Sequence, residues 1–358
     1  MRLGFLRHLY EGPGPYASVY LNTEPAGEGA PGEIALRWRT AYRELTGQGA
    51  GDAVLGPLGK LVTGPGRPEP GVAAFARAGR AGLARALPTA PAAEIARYAA
   101  LPLVLPMLVQ APPEVPHLRV SADRLGGELI VGLGAEHGAP ARVEGEQWPV
   151  HKPASGGWSQ PRYQRSAEES WAHNEKEFAA AVTAAAERTG ADLIVLAGDV
   201  RARGLLLDHL PKALRDQVVV VDREVPAGSD QVAETAAAEI RRRAEQASRD
   251  GLESVRVQLP RGGAAQGLAD VVAALRAGRV AALFLAGDPF PAGDLWFGAA
   301  PGELATDAQD LAGLGIDEPT QDQAGEALVR GAALTDAELH FVPEGEPRPT
   351  DGVAALFH

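Results

Sequence analysis

Residues 191–199 read ADLIVLAGD and residues 217–222 read QVVVVD. Each is a short apolar run closed by an aspartate, rich in the branched side chains that suit a pleated surface. Helical stretches surround them. Ser166–Arg188 has Ser166 placed as N-cap, Glu168 and Glu169 in the first turn and Gly190 past the end. A second helix is expected from about Arg201 to Leu210, and a third of some 20 residues runs to about Arg249. Apolar strands alternating with helices predict an α/β layer whose sheet is largely covered.

Upstream of this core, HLRVSAD (117–123), RLGG (124–127) and ELIVGLG (128–134) read as strand, turn and strand, a hairpin by turn chemistry and alternation. A third strand is expected at Ala141–Glu146. The segment APPEVP (111–116) carries three prolines and no periodicity, which marks a boundary. Before it, YASVYL (16–21) alternates like a strand, EIALRWRTAYREL (33–45) has helical spacing, Gly47–Gly71 reads as loop with one helix, and Val72–Ala78 is a strand. After the core, a helix over 267–277, a turn at Gly278 and a buried strand VAALFLAG (280–287) start a second α/β unit. Helix 321–332, strand Glu338–Val342 and a last strand Gly352–Phe357 complete a small α/β sandwich. Three α/β domains are expected, over 1–115, 116–262 and 263–358.

The 358 residues carry 34 Lys plus Arg against 46 Asp plus Glu, a net charge of -12, and no Cys. Without Cys there are no disulfides, thiolate nucleophiles or Cys-ligated metal sites, as fits a reducing compartment. The longest apolar run, Leu101–Val109, is interrupted by Pro102 and Pro106, so no membrane span is expected. Arg7, His8 and Glu11 occupy the place of a signal peptide's apolar stretch, which predicts a cytoplasmic protein. An acidic total opposes nucleic-acid binding over the whole surface, because counterion release needs Lys and Arg beside phosphates. The charge is unevenly spread, however: +2 over 1–115, -3 over 116–262 and -11 over 263–358.

Few residues suggest catalysis. Asp199 and Asp288 close two Leu-Ala-Gly-Asp runs at the carboxyl ends of strands, where α/β sheets carry their sites. Gly-Asp is also an ordinary turn and helix-cap pair. The eight histidines lack the spacing of a zinc helix, there is no Gly-x-Ser-x-Gly elbow or Walker loop, and Gly126-Gly127 falls in the hairpin turn. The triple Arg241-Arg242-Arg243 reads as a solvated face. No metal or cofactor is implied.

One segment stands apart. HKPASGGWSQPRYQR (151–165) holds Lys152, Arg162 and Arg165 with no acid between Val150 and Ala167, together with Gly156, Gly157, Trp158 and Tyr163. A basic tip with aromatic side chains can follow a phosphate backbone and stack on an unpaired base. A strand-to-helix connector with fortuitous charge is the plainer alternative.

A strand, a Gly-Gly basic loop and a long helix ahead of an α/β layer resemble the middle domain of archaeal and eukaryotic peptide chain release factors and of the ribosome-rescue factor Pelota. AAQGLADVVAALRAGRVAALFLAG (264–287) and the closing DGVAALFH (351–358) are similar to the family's L7Ae-like C-terminal sandwich. GPYASVYL (14–21), PVHKP (149–153) with Gly157-Trp158, and AAQGLA (264–269) look like the actinobacterial branch, which includes the ribosome-hibernation factor Balon.

The resemblance implies a protein of the ribosomal A site, acting in stress or stationary phase, with the 70S ribosome and its rRNA as partners. It also implies elongation factor Tu, or a basic ribosomal protein, at the acidic C-terminal domain; DNA and membranes are not expected. In release factors the loop reads Gly-Gly-Gln and enters the peptidyl transferase centre. Here Trp158 follows the two glycines, and an indole N–H donates but cannot accept, so peptidyl-tRNA hydrolysis is not expected. Gln160 is a displaced candidate for the missing amide, and the stop-codon motif Asn-Ile-Lys-Ser is lacking. On this reading His151, Lys152, Arg162 and Arg165 contact phosphates, Gly156 and Gly157 let the tip adapt, and Trp158 or Tyr163 stacks. The rival class is an α/β enzyme or small-ligand-binding protein using Asp199 or Asp288.

Overall fold

A computed structural model describes residues 1–12, 14–24, 30–64, 70–80, 82–111, 113–123, 126–133, 136–137, 141–144, 160–287 and 289–358. Only the backbone is described for 30–32, 133, 136–137, 141–144, 160–173 and 175. The chain is α/β throughout and divides into two compact units, Met1–Ala111 with Gln246–His358, and Pro112–Glu245. The first and last of the three α/β segments therefore share a unit, and the second division falls inside the helix Asp230–Gln258.

In the unit of residues 112–245, the sheet order is Val218–Val220, Leu193–Gly198, Pro116–Asp123, Gly126–Leu133 and Glu136–His137, with Ala141–Glu144 also pairing Gly126–Leu133. The first three strands are parallel and the hairpin is antiparallel. One face, with Leu118, Val120, Ala122, Ile194 and Leu196, packs on Phe178, Ala179 and Val182 of helix Gln160–Thr189 and on Leu206 of helix Val200–His209. Leu193, Val195 and Ala197 pack with Val232, Ala236 and Ile240 of helix Asp230–Gln258 in a second cluster. Each large apolar side chain buried in this way contributes about 1.5–3 kcal/mol. The two clusters separate odd from even strand positions, as a pleat requires.

Three expectations change here. The long helix begins at Gln160 rather than after a Ser166 cap, because Pro161 at its second position pre-sets a helical φ and lacks only an N–H that would be unpaired anyway. The run QVVVVD, expected as a buried strand, forms a three-residue edge strand with Val220 47% exposed, since the sheet stops there. The third helix continues past Arg249 to Gln258. Gly251 does not end it; a Cβ there would lie 2.5 Å from the Phe284 ring, so the missing side chain makes room for a close crossing.

In the other unit, Tyr16–Asn22 is a central strand between Gly71–Ala76 and Ile95–Ala99, with Leu83–Leu87 at the edge, all antiparallel. Val19 and Leu21 join the cluster of helices Ala30–Gly47 and Asp52–Thr63. Tyr20 faces a larger core with Phe75, Leu105, Leu275, Leu328 and Leu339, drawn from both ends of the chain. The C-terminal segment contributes the sheet 264–266, 353–357, 280–285, 338–341, and a small second sheet of Leu304–Ala305, Asp294–Phe297 and Thr320–Gln323. The expected helix 321–332 is thus a strand to Gln323 and a helix from Ala324 to Leu334.

That helix, AGEALVRGAAL, is buried from Ala324 to Ala333, including both of its charged residues. Glu326 accepts from Val104 N (2.9 Å) and Leu105 N (3.1 Å), capping the short helix Leu105–Gln110 from across the core. Arg330 donates to the carbonyls of Gly298 (2.8 Å) and Ala299 (2.7 Å). Asp322, also buried, accepts from Leu101 N (2.7 Å) and pairs with Arg97.

Burial pushes the Glu326 carboxyl up from 4.5 to about 8, against the two backbone donors that favour its charged form. An acid raised on folding binds a proton that the unfolded chain has released, so its contribution is most favourable below pH 4.5 and is lost as pH rises to about 8. Denaturant titrations across this range will show stability of this unit declining with pH. Glu326→Gln will be less stable than the parent at low pH and will flatten that part of the profile.

Candidate functional site

The strands 116–123, 193–198 and 218–220 run in parallel and end on one rim of their sheet. The pairing of Gly126 with both Asp123 and Glu144 brings the end of strand Ala141–Glu144 to the same rim, one strand across from Asp123. Glu144 is the last described residue before segment 145–159, and Gln160 opens the helix that packs over the sheet.

The rim is shaped by a close approach. Gly127, expected in the turn, lies in strand Gly126–Leu133, where a Cβ would stand 2.3 Å from the Ser121 carbonyl oxygen and 2.4 Å from the Phe178 ring. The glycine lets helix Gln160–Thr189 settle on the strand that carries Ala141–Glu144. Its hydrogen removes the steric bulk that would push sheet and helix apart.

The polar side chains described along the rim hold loops. Asp199 accepts from Arg201 N (2.9 Å) and Ala202 N (3.0 Å), the N-cap of helix Val200–His209. Arg203, 5% exposed, donates to Val221 O (2.6 Å) and pairs with Asp222 (2.7 Å), and Ser121 Oγ donates to Val225 O (2.8 Å). At the opposite end of the strands, Arg243 donates to the carbonyls of Asp192 and Gln217 and, with Arg242, pairs with Glu239. Arg242 chiefly, with Arg243, draws the Glu239 carboxyl down to about 2. The arginine triple expected on a solvated face therefore includes one residue that ties strand ends together.

Gln160, Arg162, Tyr163 and Arg165 fall in the first turns of the long helix rather than in a loop, and their backbone alone is described. His151, Lys152, Gly156, Gly157 and Trp158 lie outside the described residues, as does Asp288. Among the described residues, no group of three His, Asp or Glu could hold a metal ion, and no helix is long and apolar enough to cross a membrane.

Residues 116–261 match the model of bacterial archaeo-eukaryotic release factor family 2. The middle segment is thus similar to the domains of that family. The matched span covers every element of the rim and both ends of segment 145–159. An uncharacterized protein of Mycobacterium tuberculosis strain H37Rv is 28% identical over 364 residues, covering 99% of this chain and 96% of the relative. Among solved structures, the archaeal translation termination factor aRF1 aligns at 14% identity and a TM-score of 0.28 over 99% of this chain and 97% of that one. A model of ribosome-bound archaeal Pelota and ABCE1 aligns at 14% identity and 0.39 over 99% and 94%. These values are too low to transfer an activity.

The cap is the property that most plainly distinguishes a structural Asp199 from a chemical one. Asp199→Ala will cost about 0.5–2 kcal/mol in denaturant unfolding and Asp199→Asn much less, as for other N-caps. A reaction depending on the carboxylate would lose as much with Asn as with Ala.

Proposed function

We propose that this protein is a cytoplasmic, non-enzymatic ribosome-binding factor that presents segment 145–165 to ribosomal RNA. The release-factor family match over 116–261 carries the reading, because the basic segment lies inside it. The chemistry of the segment supports it. Lys152, Arg162 and Arg165, unopposed by acid between Val150 and Ala167, suit phosphates, and Trp158 and Tyr163 offer faces on which an unpaired base stacks. The helix beginning at Gln160 gives Arg162 and Arg165 a regular spacing, three residues apart, on one side of its first turns.

In this reading the factor occupies the A site with the Gly156-Gly157-Trp158 tip toward the peptidyl transferase centre, as a hibernation or stress factor, and does not hydrolyse peptidyl-tRNA. Indole cannot accept a hydrogen bond from water as the release-factor glutamine does. Elongation factor Tu, or a basic ribosomal protein, would meet the C-terminal segment, whose net charge of -11 repels RNA and attracts basic protein surfaces. Asp199, engaged as a helix cap, gives no support to the rival enzyme.

Co-sedimentation with 70S ribosomes over a salt series tests the interface. The triple replacement of Lys152, Arg162 and Arg165 by Ala will weaken association and lower the salt slope by roughly 2–3, one unit per lost phosphate contact. Unchanged co-sedimentation sinks the assigned segment. Ribosomes loaded with peptidyl-tRNA will keep their peptide in the presence of the protein; release above background restores the hydrolase reading, with Gln160→Ala as the next variant.

A further inference from the structure

Within the unit of residues 1–111 and 246–358 lies a cavity of about 340 Å³ that none of this involves. Its walls come from both ends of the chain: Leu103 and Leu105 on one side, Phe290, Pro291 and Gly325 on the other. Its charged lining is Asp294 and Glu326, with no base. The stretch of sequence that forms most of the lining supplies none either, while Arg348 from outside it is engaged by the carbonyl of Pro289. From Val280 to Val329 there are nine Asp and Glu and no Lys, Arg or His.

We propose that this cavity receives a basic side chain, the arginine or lysine of a protein partner, with its charge between Glu326 and Asp294 and its methylene stem along Leu103, Leu105 and Phe290. Such side chains need this combination, an apolar channel for the stem and a carboxylate at its end. Glu326 is the anchor. It is fully buried, and its two oxygens accept only from Val104 N and Leu105 N, which leaves half of a carboxylate's acceptor capacity open.

The nearby arginines are engaged elsewhere, Arg97 with Asp322 and Arg330 with the carbonyls of Gly298 and Ala299. The carboxyl that burial raises to about 8 is thus one that an entering cation would recharge. Gly325 keeps the wall thin, since a Cβ there would press within 2.6 Å of Leu105 Cδ1. The proposal deepens the reading of a basic protein partner at the C-terminal segment but does not rest on the RNA-binding segment 145–165, so either can fail alone.

The test titrates the full chain with two capped tripeptides, Gly-Arg-Gly and Gly-norleucine-Gly, followed by calorimetry or ligand-observed NMR. The arginine peptide will bind at least about tenfold more tightly than its neutral counterpart, a difference that corresponds to one charge-assisted contact. Asp294→Asn, at an exposed position, and Glu326→Gln will each weaken it about fivefold or more at pH 8.

Affinity for the arginine peptide will also rise about tenfold from pH 6.5 to 8 as Glu326 ionises, and not in Glu326→Gln. Arg97, Asp322, Tyr10 and Tyr20 are the charged and titratable groups that face this carboxyl. Equal binding of the two peptides, arginine binding unchanged in both variants, or no binding of the arginine peptide at about 10 mM, some ten times a 1 mM Kd, overturns the proposal.

Discussion

A carboxylate that caps a helix belonging to another part of the chain ties this molecule's two ends together. The helix Leu105–Gln110 has no side chain of its own at its start; Val104 supplies no cap, and the first donors would be left unpaired in the core. Glu326, more than 200 residues later, accepts from two of them. Losing a buried acceptor costs more than making the bond gains, so once this contact exists the segments around Leu105 and Ala324 are held in one register. Asp322, in the strand before that helix, repeats the arrangement at Leu101 N. The large mixed core of Tyr20, Phe75, Leu275, Leu328 and Leu339 then fills around fixed points.

The same logic of small residues and engaged polar groups explains the unit of residues 112–245. Gly127 admits close contact between sheet and helix, at the Phe178 ring, only because it has no side chain, and Gly251 does the same against Phe284. Polar groups at the strand ends, Asp199, Arg203 and Ser121, complete caps and hold loop carbonyls. A sheet rim with its described side chains engaged in this way is a platform.

Much of this was legible in the sequence, and the rest failed for identifiable reasons. Long apolar strands such as Leu193–Gly198 and Val280–Leu285 stand out because burial on both faces leaves continuous runs. Strands LARAL (83–87), IARYA (95–99) and TQDQ (320–323) do not, since alanine, arginine and glutamine carry no strand signal and their pairing depends on distant partners. The start of the long helix was hidden by Pro161, which resembles a loop residue until its tolerance for a first turn is considered. Asp199 was readable as a cap from its place before a helix. Glu326 was not readable at all: in AGEALVRG it looks like a solvated helix residue, and only the fold shows that every position from Ala324 to Ala333 is buried.

Charge acquires a division of labour once it is placed on the structure. The acidic excess is concentrated in 263–358, and within that in 280–329, where no base interrupts it. An acidic excess of this kind disfavours a phosphate backbone within roughly a Debye length, about 8 Å at physiological salt. The acid-free basic stretch 150–167, with Trp158 and Tyr163, belongs to the other unit. The two proposed interfaces, of opposite sign and on separate compact units, would impose opposite preferences: one for polyanions, the other for basic protein side chains. A partner assembly that offers both RNA and basic protein surfaces satisfies them together, whereas free RNA or a small anionic metabolite satisfies one and is repelled by the other. The net charge of -12 alone hides this distinction.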